Sequence, residues 1–488
     1  MNLPIIRYVL GYVLKLQAMF MLLPCLTALI YREGEGFFYL ATALLCLATG
    51  QLMSHKRPRE QVFYLKEGCV ATSLSWILLS VSGAIPFRLS GEIPHFTNAL
   101  FETVSGFTTT GSSILSDVEA MSRCSLLWRS FTNWIGGMGV LVFLLTIIPL
   151  SGGSHMNLMR AESPGPSVGK LVPKIKSTAR ILYLIYLSLT LLEFLLLIAG
   201  GMPVFDAINA SFSTAGTGGF GIKNSSMGGY SPYHQWVITI FMLIFAINFN
   251  AYYLVLLRKA KQAFHLEEVR WYFGLVGASI LIIFLNLLQS GISALDALRH
   301  SSFQVASIVS TTGFSTIDFD LWSQSSRAIL VLLMFMGGCA GSTGGGIKVS
   351  RLVILSKTVI KELKTYIHPK SIVKLKMDEK QVEHEVVRSV NVFFITFMLI
   401  FAASVLLVSF EGKDLLTTFT AVITTLGNVG PGLELVGPTQ NFGHFSSFTK
   451  YVLMFDMLAG RLELFPLLIL FHPSAWKESF GRRTRKSK

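Results

Sequence analysis

The chain has 488 residues, of which 52% are hydrophobic and only 14% charged, and its formal net charge is +14. That composition excludes an ordinary soluble globular protein, which needs more polar surface than these residues supply, and directs the chain to a bilayer. The positive excess does not mark a nucleic-acid binder: 29 of the 41 Lys and Arg fall in 54–66, 154–180, 258–270, 348–388 and 475–488, alternate connections between apolar segments. They read as a positive-inside signal with both termini in the cytoplasm, and anionic lipid head groups are the neighbours they imply.

In chain order, two apolar segments at 9–30 and 37–52 come first. The first carries Lys15 and no small-residue cleavage site, so it is expected to be a retained helix rather than a signal peptide. Segments 68–87, 131–150, 181–200, 236–257, 273–288, 328–347, 389–410 and 451–471 bring the expected spans to ten. Each is about long enough to cross roughly 30 Å of hydrocarbon as a helix. The five cysteines, Cys25, Cys46, Cys69, Cys124 and Cys339, have no paired spacing, so neither a disulfide framework nor a metal site is expected.

Between the spans, four short stretches align on a glycine: "TTTGSS" (108–113), "GTGGFG" (216–221), "STTGFS" (310–315) and "TTLGNV" (424–429). The aligned glycines are Gly111, Gly219, Gly313 and Gly427, and two positions before each stands Thr109, Thr217, Thr311 or Thr425. Six positions before, three copies have serine (Ser105, Ser213, Ser307) and the fourth has Ala421. Asn98, Asp206 and Asp414 stand thirteen before, with Asp296 a turn earlier than that place in the third copy. These are residue types that cap a helix start. The ten or so apolar-biased residues after them make roughly 15 Å of helix, half a membrane.

The sequence therefore predicts four parallel units of span, capped half-helix, Thr-x-Gly loop and span. Irregular backbone at membrane depth survives only when buried in protein or lining a water-filled cavity, which four loops on one axis provide together. The half-helices enter from outside and direct their partly negative C-terminal ends to the membrane centre, which favours a cation. Glycine lets the following carbonyls turn inward and replace the water shell of that cation, as in potassium-channel filters.

On these four loops the sequence resembles the Trk/Ktr/HKT superfamily of cation transporters, from about residue 61 onwards. The extra helix pair at 9–52 resembles that of the membrane (TrkH-like) subunit of bacterial Trk potassium uptake systems. The resemblance implies an all-α integral membrane fold: ten transmembrane helices, eight of them in four parallel helix–pore loop–helix repeats around one pseudo-fourfold ion pore. The implied divisions are 1–60 for the helix pair, then repeats at 61–165, 166–265, 266–380 (with a gate loop) and 381–488 (with a basic cytoplasmic tail). It implies a selectivity filter of Thr109, Thr110, Gly111, Thr217, Gly218, Gly219, Thr311, Thr312, Gly313, Thr425, Leu426, Gly427 and Asn428. Potassium would be held at Thr109, Thr110, Thr217, Gly218, Thr311, Thr312, Thr425 and Leu426. Sodium-preferring members often carry serine at the first filter glycine, which here is Gly111, so the resemblance implies potassium.

"FMGGCAGSTGGGIK" (335–348) interrupts the second span of the third unit with six glycines, each costing up to about 1 kcal/mol in a helix relative to alanine. Ile347 separates Gly346 from Lys348, which breaks the phosphate-loop pattern. The resemblance implies a movable intramembrane gate beneath the filter, made of Gly337, Gly338, Gly341, Ser342, Thr343, Gly344, Gly345 and Gly346. Arg461, inside the last span, is expected to restrain that loop or to form an electrostatic barrier, with Asp456 and Glu463 as partners; a buried structural ion pair is the other reading. Asn133, Asn248 and Asn250 are read either as cavity-lining or as helix-to-helix hydrogen bonds.

The expected function is potassium uptake across a bacterial cytoplasmic (inner) membrane, driven by the membrane potential, with K+ as transported ion and no cofactor in this chain. A sodium/potassium symporter or another monovalent cation channel of the same architecture is the alternative. An intramembrane enzyme is not favoured, since no "HExxH" occurs. A voltage-gated channel would need Arg or Lys at every third position of a span, and none of the ten has it. The resemblance further implies a homodimer and a cytosolic ring of TrkA-like nucleotide-binding regulatory subunits, with 348–388 and the tail "GRRTRKSK" as docking surfaces or as topology charges alone.

Overall fold

The computed structural model describes residues 1–58, 64–137, 139, 175–370 and 373–476. The expected span 131–150 beyond Gly137, most of the basic connection 154–180 and the tail from 477 lie outside these residues.

Leu3–Phe20 (α1) and Leu22–Tyr31 (α2) form one apolar span of 29 residues, interrupted at Met21. Gly36–Ser54 (α3) returns beside α1. There a Cβ on Gly11 would stand 2.8 Å from the Gly50 carbonyl oxygen, and one on Gly50 2.7 Å from that of Gly11, the close backbone approach that small residues permit. Gln17 ties the pair to the next helix, Leu65–Leu89 (α4): it accepts from the Ser82 hydroxyl at 2.7 Å and donates to the Leu79 carbonyl at 3.0 Å.

One pattern then recurs: long helix, short helix, turn, helix. First come α4, Phe96–Phe107 (α5) and Arg123–Gly137 (α6). Next are Ile175–Ala199 (α7), Val204–Gly216 (α8), Pro232–Phe245 (α9) and Phe249–Leu256 (α10), with the short Ala260–His265 (α11). Glu267–Gln289 (α12), Ala294–Val309 (α13), Gln324–Phe335 (α14) and Val349–Ile367 (α15) come third, then His384–Ser409 (α16), Leu415–Leu426 (α17), Ser447–Arg461 (α18) and Phe465–Phe471 (α19). The strands Lys376–Met377 (β1) and Lys380–Gln381 (β2) form an antiparallel hairpin between the third and fourth groups.

Among the described residues six helices are long and apolar enough to cross a membrane, or seven if a bent pair counts as one span. Two expected straight spans are corrected, and the third interruption falls at 335–348, where the glycine-rich stretch was expected to break the helix. Segment 236–257 bends by 93° between α9 and α10, 328–347 stops as helix at Phe335, and 451–471 breaks between Arg461 and Phe465. Apolar composition alone hides the first and last of these breaks. At the α9–α10 break the Ala246 carbonyl accepts from the Cys339 N–H at 2.8 Å, and the Phe249 N–H donates to the Gly341 carbonyl at 3.2 Å. A bend at membrane depth is stable only when such partners exist. The last break precedes Pro466, which cannot continue the ladder.

The capping expectation is corrected in three of the four groups. Asp414 does cap α17, accepting from the Thr417 N–H at 2.8 Å. Asn98 and Asp206 are the third residues of α5 and α8, so they are past the start. Asn98 instead accepts from Lys450 at 2.9 Å, and Asp206 from the Tyr230 hydroxyl at 2.9 Å. In the third group Ser293 is the cap, its hydroxyl accepting from the Asp296 N–H.

Candidate functional site

The four half-helices α5, α8, α13 and α17 end in the same backbone motif. Just past each end stands a residue with left-handed backbone: Thr109 (φ 54°), Thr217 (54°), Thr311 (59°) and Asn428 (53°). The next N–H reaches back five residues, from Thr110 to Ser105, Gly218 to Ser213, Thr312 to Ser307 and Val429 to Thr424, at 2.8–2.9 Å. This is the bonding that closes a helix C-terminus when one residue turns left-handed. A positive-φ glycine comes next each time: Gly111 (82°), Gly219 (66°), Gly313 (85°) and Gly430 (102°).

The shared backbone motif corrects the fourth copy by three residues. Thr425 and Leu426 are the last residues of α17 and Gly427 is its right-handed cap (φ −81°), with the Thr425 hydroxyl returned to the Ala421 carbonyl at 2.8 Å. The loop proper is Asn428, Val429 and Gly430. The hydroxyl residue six before the glycine is then Thr424, which fills the serine place that Ala421 leaves vacant when the copies are aligned on Gly427. "TTLG" matched by spelling, whereas the left-handed turn and its glycine fall on "NVG", where asparagine takes positive φ more readily than the threonine of the other three loops.

The loops close into a ring. A Cβ on Gly111 would run into the carbonyl oxygen of Gly218, one on Gly219 into that of Thr312 and one on Gly313 into that of Val429. One on Gly430 would stand 2.7 Å from the carbonyl oxygen of Thr110. Each loop thus abuts the next and the fourth returns to the first, with no room for a side chain at any junction. Thr109, Thr110, Thr217, Thr311, Thr312 and Asn428 are all buried.

Behind the ring, buried polar side chains hold the returning chain. Ser213 donates to the Phe220 carbonyl at 2.8 Å and Ser307 to the equivalent Phe314 carbonyl at 2.6 Å. Asn133, with its amide oriented to satisfy both neighbours, donates to the Gly106 carbonyl at 2.9 Å and accepts from the Phe220 N–H at 3.2 Å. It is a brace between the first two loops. Sequence reasoning missed Glu102 and Arg129, an ion pair at 2.7 Å with 0% and 2% side-chain exposure. Glu102 also accepts from the Ile114 N–H at 3.0 Å, while Arg129 donates to the Gly221 carbonyl at 3.1 Å and stacks 4.3 Å from the Phe220 ring. The available signal was two opposite charges in otherwise apolar surroundings, where an unpaired charge costs several kcal/mol or more.

Directly against the ring lies the glycine-rich loop between Phe335 and Val349. The Gly337 N–H donates to the Ile347 carbonyl at 2.9 Å, and the Gly338 carbonyl accepts from the Val349 N–H at 3.3 Å, which pinches the loop's base. Gly341 and Gly346 have positive φ. The Ser342 N–H returns to the Cys339 carbonyl, and the Thr343 hydroxyl donates to the Phe245 carbonyl at 3.2 Å, a group freed by the bend in α9. Lys348 donates to the Gly344 carbonyl. The Gly345 N–H donates to the Thr311 hydroxyl at 2.8 Å, and a Cβ on Gly345 would stand 2.7 Å from the Gly427 carbonyl oxygen. The tip of the loop therefore touches the third and fourth loops of the ring.

Arg461 reaches this loop. Its guanidinium donates to the Thr343 carbonyl at 2.7 Å and to the Gly136 carbonyl at the end of α6 at 2.6 Å. The expected carboxylate partners are corrected: Asp456 is bound by the Ser404 hydroxyl at 2.7 Å, and Glu463 by Arg351. The break after Arg461 turns Glu463 away to α15, which linear spacing does not reveal. Glu268, a further residue missed, accepts from the Ala340 N–H at 2.6 Å and the Ser350 N–H at 3.1 Å, so one buried carboxylate holds both flanks of the loop. Asn248 caps α10, accepting from the Asn250 N–H at 2.9 Å. Of the basic stretch 348–388, Lys348 and Arg351 are buried and engaged internally rather than displayed.

A family model described as a cation transport protein (TrkH) matches residues 36–479. The Trk system potassium uptake protein TrkH of Salmonella typhimurium is 37% identical over 481 residues, 97% of this chain and 99% of that protein. The TrkG protein of the Escherichia coli Trk system is 32% identical over 97% of this chain and 98% of its own length. The crystal structure of the potassium transporter TrkH from Vibrio parahaemolyticus matches with a TM-score of 0.88 at 34% identity, covering 98% of this chain and 100% of that one. With apolar spans, a ring of four half-helix termini and this likeness over nearly its whole length, the chain belongs to the TrkH cation transport protein family.

Proposed function

We propose that this chain is the multi-pass membrane subunit of a bacterial Trk system and takes up potassium through the ring of four loops. Membership of a cation transport family makes it a transporter rather than an enzyme, and the relatives' names supply the ion. The observation that carries the reading is the closed ring, in which carbonyls of Thr110, Gly218, Thr312 and Val429 stand against glycines of the neighbouring loops. Backbone carbonyls at the partly negative ends of four half-helices are the groups that substitute for the water shell of a monovalent cation.

In this reading the filter comprises Thr109 to Gly111, Thr217 to Gly219, Thr311 to Gly313 and Asn428 to Gly430, one loop from each of four repeats around the pore. The loop from Gly337 to Gly346 is the gate and Arg461 its restraint. The driving force is the membrane potential, about 2.3 kcal/mol per 100 mV for one charge. The termini lie in the cytoplasm of the inner membrane, and the assembly is a homodimer on a ring of nucleotide-binding regulatory subunits. One repeat is assigned to each loop, with divisions at 61–165, 166–265, 266–380 and 381–488.

The test is uptake of potassium and sodium by cells lacking their own potassium systems, comparing the wild type with Gly313→Ser. Restored growth on low potassium with the wild type, and sodium entry or failure with the variant, is the expected result. Unchanged potassium uptake and selectivity in Gly313→Ser would overturn the filter assignment.

A further inference from the structure

The ring is not symmetric at the positions with left-handed backbone. Three loops place threonine there and the fourth places Asn428. We infer that Asn428 is a specificity-determining positioning residue: its side chain clamps the fourth loop to Thr110 of the first and so sets the width of the ring where it closes. The inference rests on the potassium-filter reading above.

The junction between the fourth and first loops differs from the other three in connectivity. Loops one and two, two and three, and three and four are consecutive along the chain, whereas Thr110 and Asn428 are 318 residues apart. No junction of the ring is spanned by a short stretch of backbone, since consecutive loops lie about a hundred residues apart, and at this one the ties are made by side chains. Asn428 is fully buried, and its Nδ2 donates to the Thr110 Oγ1 at 2.9 Å and to the Met457 carbonyl in α18, also at 2.9 Å. Both amide hydrogens are used. A second tie crosses the same junction, the Ser112 hydroxyl donating to the Gly430 carbonyl at 3.1 Å.

Proton bookkeeping makes the clamp directional. Thr110 Oγ1 accepts from Asn428, so its own hydrogen is free to go to Thr108 Oγ1, 2.8 Å away. Thr108 Oγ1 in turn donates to the Val104 carbonyl at 2.7 Å. The chain runs Asn428 to Thr110 to Thr108 to the body of α5, every hydrogen is assigned, and no hydroxyl is left to rotate. The equivalent residues of the other three loops are placed differently. The Thr312 hydroxyl pairs likewise with Ser310 of its own loop at 2.7 Å, but Thr217 in the loop that meets it donates to the Gly216 carbonyl instead; Gly218 has no side chain, and the Val429 side chain has no polar atom. Thr110 also carries the carbonyl that meets Gly430, so what fixes its side chain fixes a ring oxygen. A carbonyl ring that can widen loses preference between potassium and the smaller sodium.

The test is competitive uptake of potassium, rubidium and sodium in cells lacking their own potassium systems. Asn428→Leu keeps the shape and removes both donors, and Thr110→Val removes the acceptor. Each is expected to lower the potassium-to-sodium uptake ratio at least about tenfold, with the double variant no worse than the more affected single, because the two act through one bond. A wild-type ratio in either single variant overturns the inference, as does a double-variant loss equal to the product of the two singles. If Asn428→Leu does not reach the membrane, Thr110→Val reports on the same bond from the other side by the same criterion. Absence of potassium uptake by the wild type sinks the function reading itself, while wild-type uptake with unchanged variant ratios sinks this inference alone.

Discussion

Arg461→Met removes the guanidinium that joins the glycine-rich loop to the end of α6. The side chain makes two charge-assisted hydrogen bonds to carbonyls, to Thr343 at 2.7 Å and Gly136 at 2.6 Å. A hydrogen bond to a charged group contributes about 1.5–3 kcal/mol, so two at the lower figure come to about 3 kcal/mol in favour of the state that contains them. Arg461 is only half-buried, and water replaces part of what is lost, which halves the figure to about 1.5 kcal/mol at the low end. Under the proposed gating role the variant shifts the gate roughly tenfold to a hundredfold towards open. The assay is rubidium or potassium uptake into proteoliposomes holding this chain alone, with a potassium-diffusion potential, against equal amounts of wild type. Basal flux is expected to rise by that factor until conduction itself limits it. Arg461→Lys, whose point charge cannot span both carbonyls, is expected to fall between. Flux in Arg461→Met equal to or below that of the wild type, with the protein correctly inserted, refutes the restraint.

The geometry sets three further outcomes. Gly430→Ala adds a methyl 2.7 Å from the Thr110 carbonyl oxygen at a φ of 102°, costing about 1–2 kcal/mol in backbone strain and a further 1–3 kcal/mol in overpacking. Rubidium uptake is expected to collapse, whereas Gly34→Ala, with open space at its Cβ, leaves it intact. Glu102→Gln strands Arg129 in the interior, and breaking a buried pair costs about 3–5 kcal/mol; the thermal midpoint of the purified protein in detergent is expected to fall by several degrees. Asp378 lies in the β1–β2 turn, where it and Glu379 both have positive φ, and its carboxylate accepts from the Glu267 N–H at 2.7 Å, capping α12 from a distance of 111 residues. Asp378→Ala is expected to cost α12 about 1 kcal/mol, read as roughly fivefold faster amide exchange at Glu267, and an unchanged rate would show that the turn does not hold the helix.

The sequence by itself determined the elements that depend on neighbours along the chain. Apolar runs of spanning length, the placement of basic residues between them, four short helices followed by glycine turns, and the helix-breaking stretch from Gly337 to Gly346 are all local properties. Three of the four ring loops were legible in their correct register, because Thr109, Thr217 and Thr311 each stand two before a positive-φ glycine.

Tertiary structure decided the rest. The fourth loop offered two glycines in similar spelling, and only the ring requirement, that each glycine meet the preceding loop residue of a neighbour, selects Gly430 over Gly427. Arg461 was recognisable as a costly charge in a span, but its partners are backbone carbonyls of Thr343 and Gly136, which no pattern of side-chain types announces. The bend at 246–248 is held because distant groups, the Cys339 N–H and the Gly341 carbonyl, satisfy the backbone it exposes. Burying a polar group without a partner costs a few kcal/mol wherever it lies, yet which atom supplies that partner depends on residues a hundred or more positions away, and that choice is made only when the helices pack.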